Sequence, residues 1–376
     1  MEGTKKLQQA MLPAAGILCI LVFLGLVLSF SGDQARNQAR DQAILEENIG
    51  VTENSWLAAH ASNSSTTMDD GGHGPSKDNF DFQSLSVTSN FSVKELQNLK
   101  KILHRAQFHN KTVILTTLNQ AWAENNTMID LFLDGFHKGI ETERFLPHLV
   151  IIALDSPSFQ RCAQIHRHCF LLRTDGINFA GEQKRFMTPD YLEMMWRRIY
   201  FLRVVLQLGY SFVFTDADIL WFRDPFPQFH PVADFEIASD HFTGIDNDLN
   251  NAPNGGFVHA VSSNRTIALY ELWYDARLRF PGRHDQDVLN DIKFSPEFSA
   301  LGLRLRFLST EFFGGFCERP KDLGLVCTMH ANCCGAGLEN KLQDLQLVAE
   351  DWNLWKFMTQ EQRDKYKIEW RVPRHC

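Results

Sequence analysis

Apolar and polar positions divide the chain into three unlike stretches. Met11 to Phe30 runs MLPAAGILCILVFLGLVLSF without a charge, long enough as a helix to cross a bilayer. From Ser31 to about Ser92, Gln, Asn, Ser, Gly and Asp prevail and no apolar period is sustained, the composition of a flexible stem. At Val93 the pattern changes: VKELQNLKKIL has apolar residues at helical spacing and opens a folded domain. The resulting layout is a tail at 1–10, a membrane anchor at 11–30, a stem at 31–92 and one domain at 93–376.

Within that domain the periods alternate. Apolar runs at Val113 to Leu118, Leu149 to Leu154, Cys169 to Arg173 and Phe212 to Thr215 read as strands. Between them Met128 to Lys138, Ser156 to His166 and Pro189 to Leu208 read as helices, the last with Pro in its first turn and Gly209 after its end. Further on, Phe235 to Ser239 and Gly256 to Ala260 read as strands and Thr266 to Phe280 as a helix. Such alternation predicts an α/β, Rossmann-like fold: a mostly parallel sheet with helices on both faces.

Charge and chemistry narrow this picture. A net charge of -8 gives no sign of a nucleic-acid binder. Positive charges flank the apolar run evenly, with Lys5 and Lys6 before it and Arg36 and Arg40 after. A cleaved signal peptide is the rival to an anchor, but the run exceeds the usual length of its apolar segment. All five glycosylation sequons, at Asn63, Asn90, Asn110, Asn125 and Asn264, follow the run, which favours a lumenal domain. Thirty phenylalanines and eight tryptophans point to a thick aromatic core, with Trp221, Trp273 and Trp352 as candidates for an acceptor groove instead.

Cys19 lies in the apolar run, leaving Cys162, Cys169, Cys317, Cys327, Cys333, Cys334 and Cys376. In an oxidising lumen these form up to three disulfides and leave one thiol. Cys162 and Cys169 flank a loop as a local pair, and Cys376 is expected to lock the tail. Zinc held by Cys317, Cys327, Cys333, Cys334 and His330 is the alternative, weakened by the lack of a C-x-x-C pair.

The strongest chemical signal is YSFVFTDADILWFRDPF at 210–226, an apolar strand ending in Asp216 and Asp218. Ligands bind at the carboxyl ends of strands in open α/β sheets. Two carboxylates there suit a hard divalent cation, Mn²⁺ or Mg²⁺, which in turn suits the diphosphate of a nucleotide sugar. The competing reading is a pair of acids capping a turn. Two other D-x-D triplets lack this setting: Asp246 and Asp248 read as a solvated turn, and Asp285 as a helix cap. Asn254-Gly255-Gly256 removes two Cβ atoms where a sugar could approach the backbone, or simply turns into a strand.

Four ordered motifs, FVFTDADILWFRDPF, NAPNGGFVHA, RHDQDVLN and CTMHANCCGAGLENK, resemble the plant nucleotide-diphospho-sugar transferase domain of glycosyltransferase family 77 across residues 93–376. The resemblance implies a GT-A fold, a single-pass type II protein of the Golgi membrane, a UDP-sugar donor, a glycan or glycoprotein acceptor and a retaining reaction. It further implies that Asp216 contacts the ribose or the metal, that Asp218 is the main metal ligand, and that His330 completes the metal site. Lys341 would bind the diphosphate and Arg198 the donor, though Arg197 beside it blurs that assignment. Asp285 and Gln286 would lie near the anomeric carbon, Asp285 orienting a sugar hydroxyl or serving as a nucleophile, Gln286 stabilising developing positive charge. Retention by a covalent intermediate and retention by attack from the leaving-group side both remain open. A silent glycan-binding relative is the alternative function. A two-metal phosphohydrolase would need more ligands than surround Asp216.

Overall fold

The computed structural model describes residues 81–376 except Asp175. The expected tail and anchor, Asn63, Cys19 and nearly all of the stem lie outside the described residues. Among those described, no helix is long and apolar enough to cross a membrane.

The domain begins with α1 (Phe82–Thr88) and α2 (Val93–Ala106). α1 falls inside the stretch read as stem. Its Leu85 packs into the same core as Leu96, Leu99 and Leu103 of α2, so the folded part starts about one short helix earlier than the apolar period suggests. A capping box starts α2: Ser92 accepts from the Glu95 amide and Glu95 accepts from the Ser92 amide. Such a cap stabilises by about 1 kcal/mol.

There follow β1 (Thr112–Leu118), α3 (Gln120–Ala123), α4 (Met128–Lys138), β2 (Leu149–Ala153), α5 (Ser156–Ile165), β3 (Cys169–Leu171), α6 (Pro189–Gln207), β4 (Ser211–Thr215), β5 (Ile219–Trp221), β6 (Phe235–His241) and β7 (Ala252–Ala260). The chain continues through α7 (Asn264–Ala276), α8 (Asp285–Ile292), α9 (Pro296–Ala300), β8 (Leu305–Phe307), β9 (Phe313–Gly315), β10 (Thr328–His330), α10 (Leu338–Phe357) and α11 (Gln360–Lys365).

Seven strands form the main sheet in the order β3-β2-β1-β4-β7-β6-β8. Only β7 runs against its neighbours; the other pairings are parallel, as the alternating periods predict. Side chains on a strand point alternately to opposite faces, and β4 uses both. Phe212 and Phe214 join the core under α6 and α7, while Val213 joins the core under α4 and α10. Helices therefore cover both faces, and a strand buried twice over reads as an unbroken apolar run. Trp221, Trp273 and Trp352 are fully buried in these cores, which removes them as groove candidates.

A second sheet, β5-β10-β9, was not expected from the sequence. Each of its strands is three residues long, too short to establish a period. It is nevertheless what builds the site, because β10 pairs antiparallel with β5 directly after the acidic turn.

Three disulfides close the described part: Cys162–Cys169, Cys317–Cys333 and Cys334–Cys376. With three of its four cysteines so paired, the zinc alternative falls. Cys334–Cys376 spans 42 residues, worth about 4 kcal/mol in the chain-entropy account. Buried Asp344 holds the same tail, accepting from the amides of Arg374, His375 and Cys376. Cys327 stays a free thiol, and burial pushes it up to about 12. The sequon residues Asn90, Asn110, Asn125 and Asn264 are all exposed.

Candidate active site

β4 ends where the main sheet changes direction. The Asp216 amide donates to the Gly256 carbonyl of β7 at 2.7 Å, and the Ala331 amide donates to the Asp218 carbonyl at 3.1 Å. These two backbone bonds fix the acidic turn between the sheets. Register then brings His330 opposite Ile219, with its Nε2 3.2 Å from Asp218 Oδ1 and 4.0 Å from Asp216 Oδ2. Lys341, in the first turn of α10, sets Nζ 2.6 Å from Asp218 Oδ2.

The same arrangement separates the two neighbouring arginines of α6. Arg198 is buried and donates through one guanidinium nitrogen to Asp216 at 3.0 Å and through the other to Asp285 at 2.9 Å. Arg197 faces away, lying over the rings of Phe91 and Tyr200 and donating to the Arg173 carbonyl. Arg198 is thus the residue at the site.

Charge in this cluster is unevenly held. Burial alone would raise the Asp218 carboxyl, but Lys341 and His330 outweigh it and keep the group well below the usual carboxylate range. Asp285 behaves alike: burial is overcome by His284, 2.9 Å away, and by Arg198. Burial alone would lower His284, but attraction and hydrogen bonding to Asp285, helped by Asp287, together move it up. The Tyr191 hydroxyl, 3.1 Å from His284, is raised by burial and then by Asp285.

A divalent cation fits the acidic turn. Asp216, Asp218 and His330 each offer a ligand atom, all within 4.8 Å of one another. Asp218 Oδ1 is buried and has no well-aligned hydrogen bond, its near polar neighbour being His330 Nε2 at 3.2 Å, an arrangement that a cation between the two would satisfy. Neighbouring ligands of an octahedral ion at about 2.1 Å stand about 3 Å apart, close to the 3.2 Å between Asp218 and His330. The two carboxylates suit Mn²⁺ or Mg²⁺, and the imidazole of His330 tips the set toward the softer Mn²⁺.

Opposite the acids, Asn254-Gly255-Gly256 does bring backbone close. A Cβ on Gly256 would stand 2.5 Å from His330 Cε1 and 2.8 Å from Asp216 Oδ2, and one on Gly255 would touch Arg198. Gly256 is required because two ligand side chains occupy the space of its missing Cβ. We expect Gly256→Ala to displace His330 and lower Mn²⁺ affinity at least tenfold, as measured by isothermal titration. Unchanged affinity would mean the ligands sit elsewhere. Gln286 accepts from the Gly255 amide at 3.0 Å, and Asn254 accepts from the Gly256 amide at 2.9 Å.

Two expectations change here. Asp285 does not cap α8 with its side chain. It is wholly buried, with its two oxygens facing His284 and Arg198. A carboxylate so enclosed is poorly suited to attack an anomeric carbon or to grip a hydroxyl. It anchors Arg198 instead. Asp246 and Asp248 are turn residues as expected, Asp248 accepting from the Asn250 amide.

Sequence reasoning missed Asp240 and Asn332. Asp240 lies near the end of β6, just as Asp216 and Asp218 follow β4, so the same signal of an apolar strand running into acid could have found it. Asn332 lies two residues beyond His330, inside a motif that drew notice for its histidine.

Comparison with known proteins agrees with this geometry. A family model described as nucleotide-diphospho-sugar transferase matches residues 144–345. An uncharacterized protein of Arabidopsis thaliana is 48% identical over 293 residues, covering 78% of this chain and 77% of its own. A second from the same plant is 38% identical over 283 residues, covering 74% and 84%. Among solved structures, the galactosyltransferase LgtC with donor and acceptor sugar analogs is similar at a TM-score of 0.37 and 13% identity, covering 67% of this chain and 99% of that one. Mouse xyloside xylosyltransferase 1 is similar at a TM-score of 0.37 and 13% identity, covering 59% and 98%. The two structural likenesses are remote and add nothing to the sequence matches. On the family match and the relatives' identity, the chain belongs to the nucleotide-diphospho-sugar transferase family.

Proposed function

We propose that the protein is a retaining, metal-dependent glycosyltransferase of GT-A type, related to glycosyltransferase family 77. It would move a pentose from a UDP-sugar to a cell-wall polysaccharide or glycoprotein. The observation that carries this reading is the meeting of Asp216, Asp218 and His330 beside Lys341 and Arg198 in a nucleotide-sugar transferase domain. Three disulfides and four exposed sequons support work in an oxidising lumen, which we take to be the Golgi, with residues 11–30 as the anchor.

In this proposal Asp216, Asp218 and His330 hold Mn²⁺ or Mg²⁺. The ion supplies a Lewis acid for diphosphate oxygens as the bond to the sugar breaks. Lys341 carries three donors, so it can keep Asp218 and still reach a phosphate oxygen. Arg198, fixed by Asp285, presents a guanidinium edge beside Asp216 to the donor. Gln286 and the glycine backbone border the sugar. With Asp285 wholly buried between Arg198 and His284, retention by attack from the leaving-group side is the route we favour, the departing phosphate taking the acceptor's proton.

The test is to incubate the purified protein with UDP-xylose, UDP-arabinose, UDP-galactose and UDP-glucose plus Mn²⁺, and to measure UDP release. Release from a UDP-pentose that EDTA abolishes is expected. No release from any donor would sink the enzymatic reading and leave the silent binding protein. Release that survives EDTA would sink the metal.

A further inference from the structure

We infer that Asp240 is a positioning residue that sets three amide side chains around the sugar side of the site and ties them to the loop carrying His330. Three chain segments meet on this one carboxylate. Asn254 of β7 donates to Asp240 Oδ1 at 2.7 Å and Asn332, beyond β10, donates to the same oxygen at 2.8 Å. Gln286 of α8 donates to Oδ2 at 3.0 Å. An amide has one donor end and one acceptor end, so a carboxylate that takes all three donors also decides where the three oxygens point.

Each oxygen then has a defined task. Asn254 accepts from the Gly256 amide, Gln286 from the Gly255 amide, and Asn332 from the Cys317 amide. The glycine pair of β7 is thereby held from two sides, and the His330 loop is joined to the β9 end beside the Cys317–Cys333 disulfide. Were one amide to flip, its NH₂ would face a backbone N–H and its oxygen would face a carboxylate. Both contacts are repulsive, and at half-buried and buried positions they are poorly screened.

Strand geometry explains why Asp240 reaches this point. Ser239 lies opposite Pro253 and His241 opposite Ala252, so β6 has one residue more than β7 between those pairs, and that residue is Asp240. A second irregularity in β7 follows, where Ile237 faces Val258 but Ala238 faces Asn254, leaving the glycine pair without partners on β6. Bulges re-aim side chains and recur beside functional sites. Here the two irregularities turn Asp240 and the glycine backbone toward each other.

Asp240→Asn is the informative variant, since it keeps shape but removes the charge and puts a donor among donors. Hydrogen exchange followed by mass spectrometry reads the network without any activity. We expect at least tenfold faster exchange in peptides holding Gly255, Gly256 and Cys317, with β1 and α6 unchanged. Unchanged exchange at all three would overturn the inference, and so would acceleration throughout the domain, which marks a general structural role. The activity arm rests on the function proposed above. UDP-sugar hydrolysis should fall at least tenfold while affinity for UDP alone stays within about twofold, and undiminished hydrolysis would overturn the inference. If the wild-type protein hydrolyses no donor, the proposed function fails while the exchange measurement still decides the role of Asp240.

Discussion

Replacing Asp218 by asparagine is expected to lower Mn²⁺-dependent UDP-sugar hydrolysis by at least two orders of magnitude and to leave the domain folded. Asp218 is held from both sides at the site: His330 faces one oxygen and Lys341 the other. Asparagine keeps the shape but offers a neutral carbonyl to the cation and an NH₂ to Lys341 or His330. A hundredfold loss corresponds to about 2.7 kcal/mol of transition-state stabilisation, which is within what one well-placed electrostatic group supplies. Folding should survive, because Lys341 and His330 retain some access to water and can relax outward. Steady-state UDP release and a thermal melt on the same sample check both halves. Activity within threefold of wild type would remove Asp218 from the metal site.

Arg198→Met should do the converse, damaging stability as well as activity. Its guanidinium is the shared partner of Asp216 and the wholly buried Asp285. Methionine fills the volume but leaves Asp285 with His284 alone. Breaking a buried pair by removing one member costs about 3–5 kcal/mol, which for a domain of this size lowers Tm by on the order of 10 °C. Arg197→Met is the control, since Arg197 lies over the rings of Phe91 and Tyr200 and donates to the Arg173 carbonyl, away from Asp216 and Asp285. Calorimetry should find the second variant far closer to wild type. Equal melting of the two would mean that Arg198 is not the keystone described here.

Much of the architecture was legible because burial on both faces makes a strand continuously apolar. Val113 to Leu118 and Phe212 to Thr215 could be read for that reason, and so could Pro189 to Gln207 from its proline start and glycine stop. α10 was not among the helices read from the sequence, although Leu338, Leu342, Leu345, Val348, Trp352 and Trp355 recur there at helical spacing. The β5-β10-β9 sheet was not legible, since three-residue strands gain their stability from neighbours far along the chain. His330 shows why this matters for the site. Locally it is one histidine among cysteines, and only the pairing of β10 with β5 sets it against Asp218. Asp285 was legible as a site residue but not in its role. Its enclosure by Arg198 and His284 depends on contacts between α6 and α8 that no spacing in the sequence encodes.

The buried thiol of Cys327 has a consequence for how the molecule can be observed. Six cysteines of the described residues are paired and this one remains, with its sulfur far from the thiolate state at neutral pH. Thiolate is the form that attacks disulfides, so Cys327 is held out of exchange with the bridges around it. Its sulfur lies against the Asp224 and Leu325 carbonyls, so an alkylating reagent would meet it when the segment leading into β10 opens. Its labelling rate therefore reports opening of the segment just before the strand that delivers His330.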